Sequence, residues 1–166
     1  RVLPESVAIL EFLEDLHAAP ELRPGDPQRR GHMRALIQIA DHMLGPATFP
    51  LFAAVRGASV DAAAVRRGID AVLGQFSAFA NPAPWLVGPE LSLADVVLAP
   101  TMYYVLALTR LAGDAVELAP YPALAAWWQH ACAQPSLRMT LDEVDQGFRA
   151  FVHGLGRDPT ALDGVL

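Results

Sequence analysis

The chain has 166 residues and a net charge of −6, and 53% of its residues are hydrophobic. This length fits one domain, or one domain with part of another, and the apolar fraction is too high for a disordered chain. A single cysteine excludes an internal disulfide or a four-cysteine zinc site. The acidic balance argues against nucleic acid as a partner, because that binding depends on clustered Lys and Arg. The longest apolar run, between Asp95 and Arg110, is shorter than the roughly 20 residues of a membrane span.

The amino-terminal part of the chain predicts one helix followed by a linker. Residues 5–18 fit a short helix, because Ile9, Leu13 and Leu16 recur on one face. Residues 19–27 contain three prolines and a glycine, which is typical of a linker. We therefore predict a first unit at residues 1–19, with a possible strand stub at residues 1–3, and a linker at residues 20–27.

The remainder of the chain predicts a helical domain over residues 28–154. An abundance of alanine and leucine favours helix over strand. Gly45-Pro46 is expected to stop the first helix of this domain, and residues 155–166 are expected to form a loose tail. The pattern at residues 93–112 is apolar nearly all round, which predicts a helix buried on every side. The predicted class is an all-α bundle around that helix, and its helical patterns cover residues 28–44, 60–80, 93–112, 122–134 and 136–154.

A specific local signal marks the start of the predicted central helix. Ser92 fits the N-cap position, and Asp95 follows three residues later. In this capping box each side chain can accept a hydrogen bond from the other residue's backbone N–H. Leu91 and Val96 occupy the two positions of a hydrophobic staple. We interpret Ser92 and Asp95 as structural residues that fix where the helix begins.

Four segments of the chain, at residues 4–13, 49–52, 85–95 and 121–136, together resemble the bacterial form of the glutathione S-transferase family. Residues 85–95, WLVGPELSLAD, resemble the entry to the family's central helix, and residues 121–136 resemble its later YP-x-L-x-x-W segment with a final PS. Residues 49–52, FPLF, are similar to bacterial members, and residues 4–13 resemble the helix that ends the family's thioredoxin-like domain. The order and spacing of these segments fit over residues 1–153.

The resemblance implies that this chain holds the family's carboxy-terminal helical domain and a remnant of the thioredoxin-like domain. Because the chain begins with Arg1 rather than methionine, we expect the rest of that first domain to lie upstream. The catalytic Tyr, Ser or Cys and the cis-proline that contacts glutathione would lie there. No catalytic residue is therefore assigned, and this part alone is expected to be inactive.

Three residues are candidates for binding glutathione, which the resemblance implies as the co-substrate. Glu5 and Ser6 begin the first helix, where unpaired N–H groups and the helix dipole suit a carboxylate. In the family this pair grips the γ-glutamyl end of glutathione, although such residues also simply complement a helix start. Gln38 lies away from the apolar stripe of its helix. In bacterial relatives an amide near this position reaches glutathione in the partner subunit, but a solvated glutamine is an equal alternative.

Four further residues are candidates for the pocket that takes the electrophilic co-substrate. The family builds this pocket from its first bundle helix and its central helix, which points to Met33, Ile37, Tyr103 and Tyr104. Aromatic faces with hydroxyls suit a flat apolar substrate, yet such residues more often belong to the core. The resemblance favours Tyr104 over Tyr103. Cys132 is interpreted as a structural thiol, and no metal is expected because the histidines lack metal-ligand spacing.

The predicted function is that of a cytoplasmic glutathione transferase-like enzyme, which uses the glutathione thiolate against a small electrophilic, largely apolar substrate. A homodimer is expected, without nucleic acid or membrane partners. The alternative is a non-catalytic protein-binding or regulatory module on the same fold. A third reading is an independent helical domain with no thioredoxin-like partner. The family interpretation differs from it by predicting an exposed apolar stripe on the first helix.

Overall fold

The computed structural model describes residues 2–17, 19, 21–80 and 83–166. A π-helical turn (Ala40–Leu44) and a 3₁₀ turn (Pro159–Leu162) accompany the α-helices. Within the described residues no strand is formed, which agrees with the predicted all-α class. The seven α-helices of these residues are α1 (Ser6–Leu16), α2 (Pro27–Ile39), α3 (Gly45–Val55), α4 (Ala62–Phe79), α5 (Leu93–Leu111), α6 (Pro122–Ala133) and α7 (Pro135–Gly154).

Helix α5 is the buried centre of the bundle, as its all-round apolar pattern predicted. It packs against α2, α3, α4, α6 and α7, and Leu98, Met102 and Val105 along it are completely buried. The predicted capping box is present at its start. The carboxylate of Asp95 accepts from the backbone N–H of Ser92 at 2.9 Å and from the Ser92 hydroxyl at 2.8 Å. The helix therefore begins where the sequence signal placed it.

The prediction that Gly45-Pro46 stops the first bundle helix is wrong. The chain continues from α2 through the π-helical turn directly into α3. In that turn the N–H of Gly45 donates to the carbonyl of Ala40, so the backbone stays hydrogen-bonded across the junction. Pro46 then lies in the first turn of α3, where the missing N–H of a proline costs little. The result is one long, locally widened helical rod.

The carboxy-terminal residues pack against the bundle and do not form a loose tail. Leu162 and Val165 are buried, and the 3₁₀ turn contacts α5 and α7. The Nη1 of Arg149 donates to the carbonyl of Pro159 at 2.9 Å, and Arg110 donates to the carbonyl of Asp163. Apolar burial and two arginines therefore hold a segment whose composition alone suggested no structure.

Helix α1 is attached to the bundle through charges and through Val7 and Leu10, two partly buried side chains that pack against the core. None of its residues is buried. Glu11 accepts from Arg34 Nε at 2.9 Å and from Arg23 Nη1 at 3.3 Å, and Glu14 accepts from the backbone N–H of Leu22 at 2.9 Å. The linker also contacts the start of α5, because the backbone N–H of Leu93 donates to the carbonyl of Leu22.

One face of α1 carries an apolar stripe that is open to solvent, consisting of Ile9, Phe12, Leu13 and Leu16. Phe12 is 50% exposed and Leu16 is 58% exposed, although exposed aromatic and aliphatic clusters are uncommon on isolated domains. The resemblance predicted such a stripe. Ahead of α1, Val2 and Leu3 have no regular secondary structure, and Arg1 of the possible strand stub lies outside the described residues.

Candidate functional site

The start of α1 has the most unusual backbone in the described residues. Glu5 is the N-cap of this helix and has φ 70° and ψ 119°, a conformation that side-chain-bearing residues rarely adopt. No other described residue except glycine has a positive φ. The carbonyl of Glu5 still accepts from Ile9 N at 3.0 Å, so α1 begins immediately after the strained residue.

The first N–H groups of α1 are available to a ligand. The Glu5 side chain makes no capping bond to them, and both Glu5 and Ser6 are exposed. Unpaired N–H groups at a helix start, together with the positive end of the helix dipole, suit a carboxylate. Glu5 and Ser6 thus lie side by side on the surface, in the position that the sequence analysis assigned to glutathione binding.

Three of the four residues predicted for the electrophile pocket lie in the core. Met33 and Ile37 on α2, and Tyr103 on α5, are at most 1% exposed. The hydroxyl of Tyr103 donates to Oδ1 of Asp145 on α7 at 2.7 Å. Burial is the main reason that the pKa of Tyr103 is raised, with the Asp145 hydrogen bond as a second cause. In this conformation the three side chains support the bundle from inside, and their role in a substrate pocket stays a prediction.

Tyr104 is the predicted pocket residue that reaches the surface. It is half-buried in an aromatic cluster that consists of Phe52, Tyr104, Phe148 and Phe151, with ring centroids 5.5 Å from Phe52 and 5.4 Å from Phe148. Burial raises the pKa of Tyr104, so its hydroxyl remains protonated at neutral pH and can donate a hydrogen bond. The guanidinium of Arg56 lies 5.5 Å from the ring centroid of Phe151 at the same surface.

The sequence analysis missed Phe52 as a neighbour of Tyr104 and Arg56 as a neighbour of Phe151. Both positions follow the Gly45-Pro46 break that the analysis took for a helix end. Their spacing of four residues would have placed them on one face if α3 had been recognised. Phe148 lies in the predicted helix at residues 136–154, but sequence periodicity does not show which face of a neighbouring helix it meets.

The other sequence candidates lie apart from these two surfaces in the fold. Gln38 is exposed on α2, as its position outside the apolar stripe predicted, and its glutathione contact stays a prediction. Cys132 is half-buried on α6, and burial raises the pKa of its thiol. Among the described residues, His, Cys, Asp and Glu form no group of three or more that could hold a metal ion. The described helices include none with the length and apolar character to cross a membrane.

The comparisons with known proteins agree with this fold. Residues 39–135, more than half of the chain, match the family model described as the glutathione S-transferase C-terminal domain. The chain belongs to the glutathione S-transferase family, to which it is related through this helical domain. The resemblance noted in the sequence is therefore confirmed.

Two curated relatives align with most of the chain. It is 28% identical over 162 residues to FtsZ-localized protein A of Caulobacter vibrioides, an alignment that covers 92% of this chain and 69% of that protein. It is 29% identical over 150 residues to maleylacetoacetate isomerase of Rattus norvegicus, which covers 79% of this chain and 64% of the isomerase. The chain thus spans about two thirds of the length of these relatives.

A solved structure supports the same fold. The maleylacetoacetate isomerase of Anaeromyxobacter dehalogenans, crystallised with glutathione in its active site, superposes with a TM-score of 0.69 at 26% identity. The match covers 83% of this chain and 63% of that chain. An all-α bundle of this arrangement is therefore found in a glutathione-binding enzyme.

Proposed function

We propose that this chain is part of an enzyme that directs the thiolate of glutathione at a small, largely apolar electrophile. The single observation that carries the proposal is the strained backbone of Glu5 beside Ser6 at the open start of α1. A positive φ at a side-chain-bearing residue costs about 1–3 kcal/mol, and such conformations concentrate at ligand-binding sites. The position is exposed, so packing of the bundle does not require it.

The chemistry of this corner matches the γ-glutamyl end of glutathione. The free carboxylate of that end can accept from the first N–H groups of α1 and from the Ser6 hydroxyl. Its ammonium group can pair with the carboxylate of Glu5. Gln38, exposed on α2, would add a contact from the second subunit of a homodimer. These three residues form the proposed glutathione-binding set.

A thioredoxin-like domain is proposed to pack against the exposed stripe of α1 and to carry the catalytic Tyr, Ser or Cys. The support is energetic, because covering Phe12 and Leu16 would stabilise the protein by about 25 cal/mol for each Å² of apolar surface. α1, the last helix of that domain, would then join the two units, with residues 20–27 as linker. The complete enzyme is proposed to be a cytoplasmic homodimer.

The electrophile is proposed to bind at the aromatic cluster, with Tyr104 as its polar contact. Phe52, Tyr104 and Phe151 are the partly exposed rings of this surface, and a flat apolar molecule can stack there. The Tyr104 hydroxyl, protonated at neutral pH, can donate to an oxygen that gains negative charge during thiolate attack. Met33, Ile37 and Tyr103 would shape this surface from beneath.

The proposal is tested by measuring the affinity for glutathione of a polypeptide in which a thioredoxin-like domain precedes this chain. We expect Ser6→Ala and Glu5→Gln each to weaken binding about tenfold, as charge-assisted hydrogen bonds are lost. Glu143→Gln on the exposed side of α7 is the matched control and should leave the affinity unchanged. Equal affinity of the two α1 variants and the control in calorimetry would contradict the assignment.

A second candidate function is a non-catalytic protein-binding module. It is favoured by the similarity to FtsZ-localized protein A, which extends over 92% of this chain. The two functions predict different results with electrophiles such as chlorinated aromatics or cis-enones. The enzyme should consume glutathione in their presence, and the module should not. Glutathione consumption by the joined polypeptide, lost in Ser6→Ala, supports the enzyme. Glutathione binding without turnover of any electrophile supports the module.

A further inference from the structure

A pocket with no role in the proposed reaction lies where α3 and α5 end and α4 begins. Its volume is about 290 Å³. The apolar part of the wall includes Leu51, Val55, Val60 and Leu111, and Arg157 from the segment after α7 completes it. The pocket thus has an apolar body and one cationic group.

This pocket faces away from the aromatic cluster. Leu51 and Val55 point toward the pocket, whereas Phe52 and Arg56 belong to the surface around Tyr104. Consecutive helical residues are about 100° apart around the axis, so the two sets occupy different faces of the same rod. A ligand in the pocket and a ligand at the aromatic cluster would not share side chains.

Arg157 is held over the pocket with hydrogen-bonding capacity to spare. Its Nη2 donates to the carbonyl of Ala54 at 3.0 Å, which fixes the guanidinium beside the last turn of α3. A guanidinium has several further N–H donors in a planar fork that matches a carboxylate. Because Arg157 is exposed, its free edge can meet an anionic group that enters from solvent.

Two backbone carbonyls next to the residues that line this pocket are already hydrogen-bonded. At the end of α3, the carbonyl of Ala53 accepts from Arg56 N and Ala58 N, at 3.1 Å and 3.0 Å. At the end of α5, Ala112 N donates to the carbonyl of Leu108 at 3.0 Å. The carboxy-terminal ends of helices usually repel anions through unpaired carbonyls. Here these local bonds reduce that repulsion and leave the guanidinium as the main polar feature.

We infer that this pocket binds a small carboxylate with an apolar body, whose carboxylate pairs with Arg157. The volume of about 290 Å³ equals that of roughly ten water molecules in the liquid. A body the size of benzoate or hexanoate therefore fits between Leu51, Val55 and Leu111, with its charged end at the mouth. The inference is independent of glutathione chemistry, and its test contains no glutathione.

The test is a titration of the full chain with benzoate, followed by two-dimensional NMR of backbone amides. We expect saturable shifts in residues 56–61 and 111–112, with a dissociation constant on the order of a millimolar for so small a ligand. Benzamide has nearly the same shape without the charge and should bind at least about tenfold more weakly. Equal binding of the two molecules, or shifts that do not saturate, would overturn the inference.

Two variants separate the charge from the cavity. Arg157→Gln removes the cation and should weaken benzoate binding about tenfold, while Arg67→Gln, an equal charge change on the exposed side of α4, should not. Ala112→Leu fills the pocket from its wall and should abolish binding with Arg157 intact. Circular dichroism confirms that each variant is folded. Benzoate affinity unchanged in either Arg157→Gln or Ala112→Leu would refute the site.

Discussion

The buried carboxylate of Asp95 links three segments of the chain, and its removal should be among the most damaging single changes. Asp95 is completely buried. Its Oδ1 accepts from Leu86 N at 2.9 Å and from Trp127 Nε1 at 2.8 Å, and its Oδ2 accepts from the backbone and the hydroxyl of Ser92. One side chain thereby joins the loop before α5, the start of α5 and the middle of α6.

Asp95→Ala should destabilise the chain by roughly 3–9 kcal/mol. It leaves three buried N–H donors unpaired, namely those of Leu86, Ser92 and the Trp127 indole, and each orphaned donor costs about 1–3 kcal/mol. Since domains of this size are stable by about 5–15 kcal/mol, such a loss approaches the whole stability. Ser92→Ala leaves no N–H orphaned and should cost only about 1 kcal/mol.

Urea unfolding followed by far-ultraviolet circular dichroism measures both losses. The matched control is Asp142→Ala, because Asp142 is an exposed acid whose carboxylate accepts from Arg138 at 2.9 Å one turn away on α7. Surface pairs of this kind contribute about 0.5 kcal/mol. A cost for Asp95→Ala as small as that of the control would refute the reasoning, since it would mean that the three donors find water instead.

Four further outcomes follow from the contacts. Tyr103→Phe should cost about 1–2 kcal/mol in urea unfolding, because the carboxylate of Asp145 loses a buried donor; no cost would show that this bond contributes nothing. Leu162→Ala should cost about 2–4 kcal/mol, and a cost below about 0.5 kcal/mol would mean that the tail is loose after all. The hydrogen bond from Arg34 is the main reason that the pKa of Glu11 is lowered. The stabilisation is therefore complete above the ordinary carboxyl pKa and is lost as the pH falls through the lowered value. The protection of α1 amides from hydrogen exchange, corrected for the intrinsic rate and compared with that of α5, should fall below about pH 4 and remain constant between about pH 6 and 8. Finally, burial raises the pKa of the Cys132 thiol. At pH 8 this thiol should therefore react with an aromatic disulfide about tenfold more slowly in the folded chain than in the urea-unfolded chain. Equal rates would contradict its burial.

The helices that sequence analysis predicted best are those whose local signals agree with one another. At α5, the capping box and the continuous apolar run indicate the same start and the same burial. At α3 the signals conflict, because Gly45-Pro46 and Pro50 interrupt a segment that is otherwise apolar. The π-helical turn resolves this conflict, because its hydrogen bonds span five residues where those of an α-helix span four, so one extra residue is accommodated without breaking the helix. Such a turn is selected by the packing of α3 against α5, which no local pattern contains.

The candidate site was predictable only in part for a similar reason. The pair Glu5-Ser6 was found by its resemblance to a family segment, but the positive φ of Glu5 depends on how the chain enters α1. Tyr103 and Tyr104 are neighbours in sequence and point about 100° apart, so one is buried beside α7 while the other reaches the aromatic cluster. Both rings contact Phe148, but the hydroxyl of Tyr103 reaches Asp145 on α7, whereas the ring of Tyr104 contacts Phe52 on α3.

The distribution of satisfied and unsatisfied features separates the bundle from α1. In the described residues, no buried side-chain nitrogen or oxygen lacks a hydrogen-bond partner, so the polar side chains buried in the bundle built on α5 are satisfied within it. Helix α1 differs, because it has no buried residue, an exposed apolar stripe and a strained residue at its first turn. Strain persists where a ligand or neighbouring structure compensates for it. The proposed glutathione site and the proposed thioredoxin-like contact both lie on this helix. Binding there would cover its exposed apolar stripe and compensate for its strained residue.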